Sequence, residues 1–458
     1  MRFLFATIQS FESDFYARVG ERLAARGHDV GHVTYSRRSA RLLAARGLRA
    51  QSVRALLGPG DADATRILSR YGLDALREAE RVDRPSRCRG EAWARPRTLA
   101  HVRVLERLFE DTRPEVLVSE PGTELLRSVA HRVARERGVA TLWPSYTIFP
   151  APLRIAVDSL QTPIVPEEEL RALTAHEREA LERFRDEFTR RARPIRAHRR
   201  LPPTGARLRR ATEYVRARLG EDRDNEYLRP GRWAAEHVLG WTRAAAARRL
   251  YEPVPGRRFL YLPLHVADDY KLIGHYPQWA DQAGLVERVA AALPADLDLV
   301  VKEHPLSHGR NTLALLRRIA RTDRVHLVHP HASSHALLQA SEGVVVLGST
   351  VGLESLLYEK PVLTLGRPFY AGYGVTLDVD AAGDLHGPLA RLSTFRPDPE
   401  RTRRFLHAAW RSCYPGAPVL VDRSDENAAR VAASLEAAAS TLRPPSLRPR
   451  TAPAGVGS

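Results

Sequence analysis

Residues 343–365 read GVVVLGSTVGLESLLYEKPVLTL and give the clearest indication of the fold. The stretch opens with an apolar run, Gly343 to Leu347, which is typical of a buried strand. A loop of small and hydroxylic residues leads into a segment at about 351–358 that predicts a helix. A second apolar run follows at Val362 to Leu365. A strand, a helix and a second strand in this order predict a βαβ unit with parallel strands.

The same alternation extends back to Phe259 and predicts a complete Rossmann-like lobe. Apolar runs predict further strands, and segments with helical spacing of apolar residues predict the intervening helices. The predicted strands are 259–264, 297–302 and 325–328, and the predicted helices are 284–293, 312–321 and 333–340.

The N-terminal part of the chain shows a second region of this kind, with strands at 2–7, 30–35, 115–118 and 139–143 and helices at 14–25 and 123–136. The middle of the chain is helical by pattern and rich in arginine. We therefore predict an α/β protein of two Rossmann-like lobes. The predicted parts are an N-terminal lobe (1–165), a helical connecting segment (166–255), a C-terminal lobe (256–425), and a C-terminal helix with a disordered tail (426–458).

Composition indicates a globular protein, with 43% hydrophobic and 27% charged residues. No apolar run approaches the ~18 residues that a membrane-spanning helix needs, and the start, MRFLFATIQSF, lacks the features of a secretory signal. The two cysteines, Cys88 and Cys413, cannot form a disulfide framework and lack metal-ligand spacing. We therefore expect a cytoplasmic protein.

The formal net charge is +17, which favours anionic partners. Only three of the 71 basic residues are lysines (Lys271, Lys302 and Lys360), so a coding bias towards arginine also explains the charge. The segment RRARPIRAHRR (190–200) suggests attachment to the anionic inner face of the cell membrane, although a solvated helix face fits it equally well. With 7% aromatic residues and no interleaved binding motif, a specific nucleic-acid partner is not expected.

Polar residues follow the predicted strands at two places where a ligand could bind. The strand ending at Lys302 continues into Glu303, His304 and Pro305, and Lys302 and His304 could donate hydrogen bonds to a phosphate. A polar loop with a capping histidine is the simpler interpretation. Because ligands bind at the carboxyl ends of strands in open parallel sheets, the position favours a site.

The second loop carries Ser349, Thr350 and Glu354 at the start of a helix. The free N–H groups and positive dipole end of such a helix suit a phosphate, and Glu354 could accept hydrogen bonds from ribose hydroxyls. Ser349 or Thr350 acting only as an N-cap is the alternative. A third segment, GRPFYAGYG (366–374), places Tyr370 in a glycine-rich loop that could line a ligand.

Three segments together resemble the capsule polysaccharide biosynthesis and export proteins of bacteria, a family that includes β-Kdo glycosyltransferases. They are KEHP (302–305), GSTVGLESLLYEKPV (348–362) and GRPFYAGYGVTLD (366–378), with Tyr373 standing where the family usually has tryptophan. The resemblance covers about 259–380 well and the N-terminal half by architecture alone.

The resemblance implies a metal-independent GT-B glycosyltransferase without a bound cofactor, whose donor is a nucleotide sugar, CMP-linked, and whose acceptor is a glycan or glycolipid. It implies that His304 and Pro305 contact the donor phosphate, and that Ser349, Thr350 and Glu354 hold phosphate and ribose. In the N-terminal lobe, Glu120 follows a strand and is the candidate catalytic base or nucleophile; a helix-start charge is the alternative.

Three other functions compete with this hypothesis. A CDP-glycerol-type phosphotransferase would share the fold and a His-Pro element, but the PFYAGYG segment argues against it. A protein of the same fold could serve polysaccharide assembly without catalysis. An arginine-rich nucleic-acid binder is the alternative of another class.

Overall fold

The computed structural model of this chain describes residues 1–58, 63–191, 219–379 and 383–442, together with residues 212, 215 and 216. The segment RRARPIRAHRR lies almost wholly outside the described residues, as does the predicted tail after Leu442. In the part of the chain that is described, no helix is both long and apolar enough to cross a membrane.

The N-terminal domain is built on a six-stranded sheet in the order β3-β2-β1-β4-β5-β6. Its strands are parallel except β6, which runs antiparallel to β5. The strands are β1 (Arg2–Thr7), β2 (Asp29–Thr34), β3 (Arg49–Ser52), β4 (Val116–Ser119), β5 (Ala140–Tyr146) and β6 (Leu153–Val157).

The C-terminal domain repeats the arrangement with six parallel strands in the order β12-β11-β10-β7-β8-β9. They are β7 (Phe259–Pro263), β8 (Asp298–Lys302), β9 (Val325–Val328), β10 (Gly343–Val346), β11 (Val362–Thr364) and β12 (Leu377–Asp378). In each sheet the first strand of the domain lies at the centre and the chain then winds to both sides. Both sheets therefore have the strand order of the Rossmann fold.

Helices cover both sheets. In the described chain they are α1 (Ser10–Ala24), α2 (Arg37–Ala45), α3 (Val53–Leu56), α4 (Ala64–Tyr71), α5 (Leu73–Val82), α6 (Arg84–Arg89), α7 (Glu91–Thr112), α8 (Leu125–Glu136), α9 (Ala175–Arg191), α10 (Pro230–Ala247), α11 (Gln282–Ala291), α12 (Leu313–Ala320), α13 (Ser334–Ala340), α14 (Thr350–Leu357), α15 (His386–Leu392), α16 (Pro399–Arg411) and α17 (Asp425–Ser440).

The prediction of an α/β protein with two Rossmann-like lobes and a helical middle segment is confirmed. The apolar runs predicted as strands are all strands, and no predicted end differs from the observed one by more than three residues. Three strands were not predicted, because they lack a long apolar run: β3, β6 and β12. The helices between β3 and β4 were not predicted either.

The chain crosses between the domains more than once. Helix α17 returns from the C-terminal domain and packs against α1, where Val431 and Leu435 join a core that contains Phe3 and Phe15. The last helix of the chain is therefore part of the hydrophobic core of the N-terminal domain.

A second crossing is polar. Residues 221–228, from the middle segment, lie against the N-terminal domain, where Tyr227 and Asp222 are enclosed. The Tyr227 hydroxyl donates to Asp83 Oδ1 at 2.5 Å and accepts from the Leu125 amide, at the start of α8, at 3.0 Å. The Arg97 guanidinium donates to Asp83 at 2.9 Å. One hydroxyl therefore provides a hydrogen-bond partner both for the buried Asp83 carboxylate and for a backbone amide at the start of a helix.

We expect Tyr227→Phe to lower the free energy of unfolding by about 1–3 kcal/mol, because Asp83 and the Leu125 amide lose a partner within a buried site. Chemical denaturation of the purified variant measures this. Tyr414→Phe is the matched control, since no hydrogen bond of the Tyr414 hydroxyl is described in the structure. Equal free energies of unfolding for the two variants would show that the Tyr227 hydroxyl does not stabilise the packing of residues 221–228 against the N-terminal domain.

Candidate functional site

The candidate site lies at the carboxyl edge of the C-terminal sheet, where β7 and β10 run side by side at its centre. Their connections leave in opposite directions, which opens a crevice beyond the strand ends in folds of this order. The Ser349 loop follows β10, and the His304 loop follows β8, next to β7. The sheet topology therefore brings together the two loops that were predicted separately.

Ser349 is the N-cap of α14. Its Oγ accepts a hydrogen bond from the Val351 amide at 3.2 Å, as the structural interpretation of this residue predicted. The cap orients the first turn of the helix, which begins at the carboxyl end of β10. Capping and phosphate binding are compatible roles for this loop.

Glu354 lies one turn further along α14. Thr350 Oγ1 donates to Glu354 Oε1 at 3.3 Å. Burial raises the pKa of the Glu354 carboxyl to about 7, and the nearby Lys302 ammonium opposes this shift. Glu354 is therefore a carboxyl group that titrates near neutrality beside a helix start.

Lys302 ends β8 and contacts the neighbouring loop. Its ammonium donates to the Ala332 carbonyl at 2.9 Å and to the Ser334 hydroxyl. Burial lowers the Lys302 pKa to about 8. Lys302 thus connects the end of β8 to the loop after β9, and a contact with a phosphate stays a prediction.

His304 is oriented by its own loop. Its Nδ1 accepts a hydrogen bond from the Leu306 amide at 3.1 Å, and Pro305 begins the short turn that makes this bond possible. A neutral imidazole that accepts at Nδ1 carries its proton at Nε2. The local structure therefore selects the tautomer in which Nε2 is a hydrogen-bond donor.

Tyr370 is completely buried, and its hydroxyl donates to the Ser349 carbonyl at 2.5 Å. A Cβ at Gly352 would lie 2.3 Å from that hydroxyl oxygen. Tyr370 therefore supports the Ser349 loop from inside the domain and does not offer an open aromatic surface.

Tyr276, which was not predicted as a site residue, packs under the same loop. A Cβ at Gly348 would lie 2.8 Å from the Tyr276 hydroxyl oxygen, and one at Gly366 would lie 2.5 Å from its ring. Gln161, in the segment after β6, donates to that hydroxyl at 3.4 Å. The glycines after two neighbouring strands were the only sequence signal for this packing.

Tyr146 was also missed, and it comes from the other domain, at the end of β5. Its hydroxyl is buried without a hydrogen-bond partner among the described residues. Burial raises the Tyr146 pKa, and the negative charge of Glu354 raises it further, so the two groups lie near each other across the domain boundary. The site therefore includes a residue of the N-terminal domain.

Three charged or titratable groups follow β7 and were not predicted as site residues. His265 is buried, with a pKa lowered to about 4 chiefly by burial. Lys271 begins a π-helical turn and has a pKa lowered by burial, and Asp269 Oδ1 accepts from its amide at 2.8 Å. The scarcity of lysine in this chain was the sequence signal that singled out Lys271.

Glu120 follows β4, the central partner of β1 in the N-terminal sheet, but its side chain is only 6% exposed. The Tyr16 hydroxyl donates to it, and the Arg127 guanidinium, paired with Glu12 at 2.7 Å, lies nearby. Burial raises the pKa of the Glu120 carboxyl to about 7. The expected position at a strand end is confirmed, whereas the open exposure to the cleft is not found. Its catalytic role stays a prediction.

Within the described residues, no three His, Cys, Asp or Glu side chains are placed to hold a metal ion.

The raised pKa of Glu354 has a consequence for stability. An unfolded glutamate has a pKa near 4.3, so above that pH the folded protein holds a proton that the unfolded chain has lost. Stability is therefore lost as the pH rises from about 4 through about 7. We expect Glu354→Gln to remove this loss, so that the variant gains on the order of 3 kcal/mol over the wild type between about pH 5 and pH 8.

Denaturation at a series of pH values measures this difference. Glu359→Gln is the matched control, because its side chain is 60% exposed on the turn that follows the same helix. If the free energies of unfolding of Glu354→Gln and the wild type differ by the same amount at all pH values, the Glu354 carboxyl does not have a raised pKa in the folded protein.

Comparison with known proteins places the chain in a family. The model of a family described as capsule polysaccharide biosynthesis protein matches residues 161–393. Protein FixF of Sinorhizobium fredii is 31% identical over 170 residues, 36% of this chain and 40% of that protein. The capsule polysaccharide modification protein LipA of Neisseria meningitidis serogroup B is 38% identical over 81 residues, 18% of this chain and 12% of LipA. The chain thus matches less than half the length of these relatives.

Among solved structures, the beta Kdo 2,4 transferase of Thermosulfurimonas dismutans KpsC aligns with 66% of this chain and 79% of its own, at 17% identity and a TM-score of 0.37. The matched family region begins in the segment after β6 and contains the His304, Ser349 and Tyr370 loops. Since that region is just over half of the 458 residues, the chain belongs to the capsule polysaccharide biosynthesis protein family.

Proposed function

We propose that this protein is a glycosyltransferase that moves a sugar from a nucleotide-linked donor to a surface polysaccharide or its lipid linker. The observation that carries the proposal is the convergence of His304, Ser349 and Glu354 at the carboxyl edge of the C-terminal sheet. Membership of a capsule polysaccharide family supports it, because capsules are assembled from activated sugars.

The donor phosphate is placed at the start of α14. The first turn of this helix offers backbone N–H groups and a positive dipole end. His304 Nε2–H adds a side-chain donor from the neighbouring loop. Ser349, as the cap, and Thr350 hold the turn in place. Together these groups compensate the charge that develops on the phosphate as the bond to the sugar breaks.

The nucleoside is placed next to Glu354. Near neutral pH its carboxyl can accept hydrogen bonds from ribose hydroxyls, and binding of a hydroxyl pair would favour the ionised form. The choice of cytidine for the base rests on the resemblance of the three C-terminal segments. We propose metal-independent binding of CMP-linked sugar, because the helix start and His304 supply positive potential at the phosphate.

The acceptor is placed on the N-terminal domain, with Glu120 as the catalytic base. In the reaction the acceptor oxygen bonds to the anomeric carbon, the bond from that carbon to the donor phosphate breaks, and the acceptor hydroxyl proton passes to the carboxylate. A pKa of about 7 suits a group that must take up a proton near neutral pH. Because Glu120 is buried beside Tyr16, this role requires the Tyr16 side of the pocket to open to the acceptor.

We expect CMP or CDP to stabilise the protein and to bind more tightly than UMP, UDP, AMP or GMP. Calorimetry with this panel and no added metal, repeated with Mg²⁺, measures both base preference and metal dependence. Equal binding of all bases, or binding only with Mg²⁺, would contradict the proposed donor and its metal independence. Lys360→Gln serves as a control outside the crevice, since the Lys360 ammonium donates to the Ser341 carbonyl at 2.8 Å.

Two substitutions should separate donor binding from chemistry. His304→Ala removes a hydrogen bond to an anion, so nucleotide affinity should fall by about one to two powers of ten at 1.4 kcal/mol per factor of ten. Glu120→Gln removes the proton acceptor, so transfer should be lost while nucleotide affinity stays near that of the wild type.

Calorimetry and a transfer assay on both variants provide the measurement, with thermal unfolding as the check on folding. Full nucleotide affinity in His304→Ala would contradict the phosphate contact. Full turnover in Glu120→Gln would contradict the catalytic role and leave the buried Tyr16–Glu120 pair as a structural feature.

A further inference from the structure

Helix α10 has an unusual surface. It lies on the outside of the C-terminal domain, yet the side that faces solvent is apolar. Val238 is 66% exposed, Leu239 48% and Trp241 84%. At 100° per residue these three side chains and the exposed Ala234, Ala235, Ala245 and Ala246 fall on one continuous face, in which Thr242 is the one polar side chain among those that the structure describes for this helix. A surface helix of a soluble protein normally presents the opposite pattern.

The inner side of α10 is firmly attached. Gly240 meets Gly309 so closely that a Cβ at Gly309 would lie 2.2 Å from the Gly240 carbonyl oxygen. Ala247 is buried in the core of the C-terminal domain. At its other end, Glu236 pairs with Arg84 of the N-terminal domain at 2.5 Å. The apolar face therefore belongs to an ordered helix that is fixed to both domains.

The surroundings of this face are basic. Helix α12 contacts α10 and also the turn that follows it, which carries the exposed Arg248 and Arg249. On the outside of α12 a shallow hollow is lined by three arginines, Arg317, Arg318 and Arg321, and by Glu287. Arg318 is paired with Asp281 and Glu287. Arg317 and Arg321 are exposed, and no ion pair of either is described in the structure.

Three histidines lie near the turn that carries Arg248. The rings of His308, His329 and His331 lie with centroids 5.4–5.5 Å apart. Burial and the neighbouring positive charges, including that of Arg248, lower the pKa of His308 and His329, so these two rings add no positive charge at neutral pH. The positive charge beside the apolar, tryptophan-bearing strip therefore comes from the arginines. Interfacial helices that lie in the headgroup layer of an anionic bilayer have this combination.

We propose that the outward face of α10, with the adjoining arginines of α12, docks the protein on a membrane containing anionic phospholipid. Trp241, Val238 and Leu239 enter the boundary between headgroups and acyl chains, and Arg317 and Arg321 bind headgroup phosphates.

The experiment compares binding of the full chain to two kinds of vesicle: phosphatidylcholine alone, and equal parts phosphatidylcholine and phosphatidylglycerol. The wild type should float with the anionic vesicles and remain behind with the neutral ones. Trp241→Ser and the double variant Arg317→Glu/Arg321→Glu should each reduce the bound fraction at least tenfold. Added salt should weaken wild-type binding, since the arginine contribution is screened.

Leu42→Asp is the matched apolar control, because Leu42 is 50% exposed on α2 of the N-terminal domain. Arg411→Glu is the basic control, at the exposed end of α16. Neither control should change vesicle binding. All variants should keep wild-type nucleotide affinity, which separates a failure of this inference from a failure of the proposed donor site.

Two results would overturn the inference. If both Trp241→Ser and the arginine double variant bind anionic vesicles as well as the wild type does, the membrane contact lies in another part of the chain. Self-association of the wild type in the absence of lipid, abolished by Trp241→Ser, would show that a second copy of the chain covers this face.

Discussion

The position of the candidate site depends on a steric constraint. Two buried tyrosine rings, Tyr276 and Tyr370, fill the space that side chains at Gly348, Gly352 and Gly366 would need. The loop after β10 can lie directly on these rings only because those positions lack a Cβ. The Tyr370 hydroxyl then holds the Ser349 carbonyl, so the helix start faces the crevice in a fixed orientation. Any larger residue at these glycines would lift the loop away from the neighbouring His304 loop.

Burial raises the pKa of one glutamate on each side of the domain boundary. Glu354 in one domain and Glu120 in the other each have a pKa raised to about 7. Each is partly compensated by a nearby group: Thr350 for Glu354, and Tyr16 for Glu120. Carboxyl groups in such surroundings cost stability in their ionised form. Selection for stability alone would favour apolar residues at both positions, which is consistent with the roles proposed for Glu354 and Glu120.

Much of the fold could be predicted because it is encoded locally. The apolar run 343–347 and the helical segment after it form a βαβ unit without reference to the rest of the chain. By contrast, β3 reads Arg-Ala-Gln-Ser and lies at a sheet edge, so no apolar run marks it. Its pairing with β2 depends on packing between residues far apart in the sequence, which the β-propensity of these four residues does not predict.

The same distinction applies to the site. His304 and Ser349 could be found because polar residues directly after a buried strand are conspicuous in the sequence. Tyr146 and Tyr276 could not, because one arrives from the other domain and the other from the π-helical turn that begins at Lys271. The exposure of Glu120 could not be judged either, since its burial depends on Tyr16 and on the chain segment near Val419.

The arginine-rich composition has a structural use that a coding bias alone does not explain. Arg97 and Arg127 are enclosed, and each guanidinium serves several acceptors in one plane, which a lysine ammonium cannot do in the same geometry. At Lys302 the relevant property is that a lysine, unlike an arginine, can lose its proton when it is buried. Lys302 is buried beside Glu354, and its pKa falls to about 8, whereas arginine would stay fully charged. The Lys302 ammonium and the Glu354 carboxylate each oppose the shift that burial causes in the other's pKa. Because arginine cannot lose its proton in this way, Lys302→Arg would not be a conservative change at this strand end.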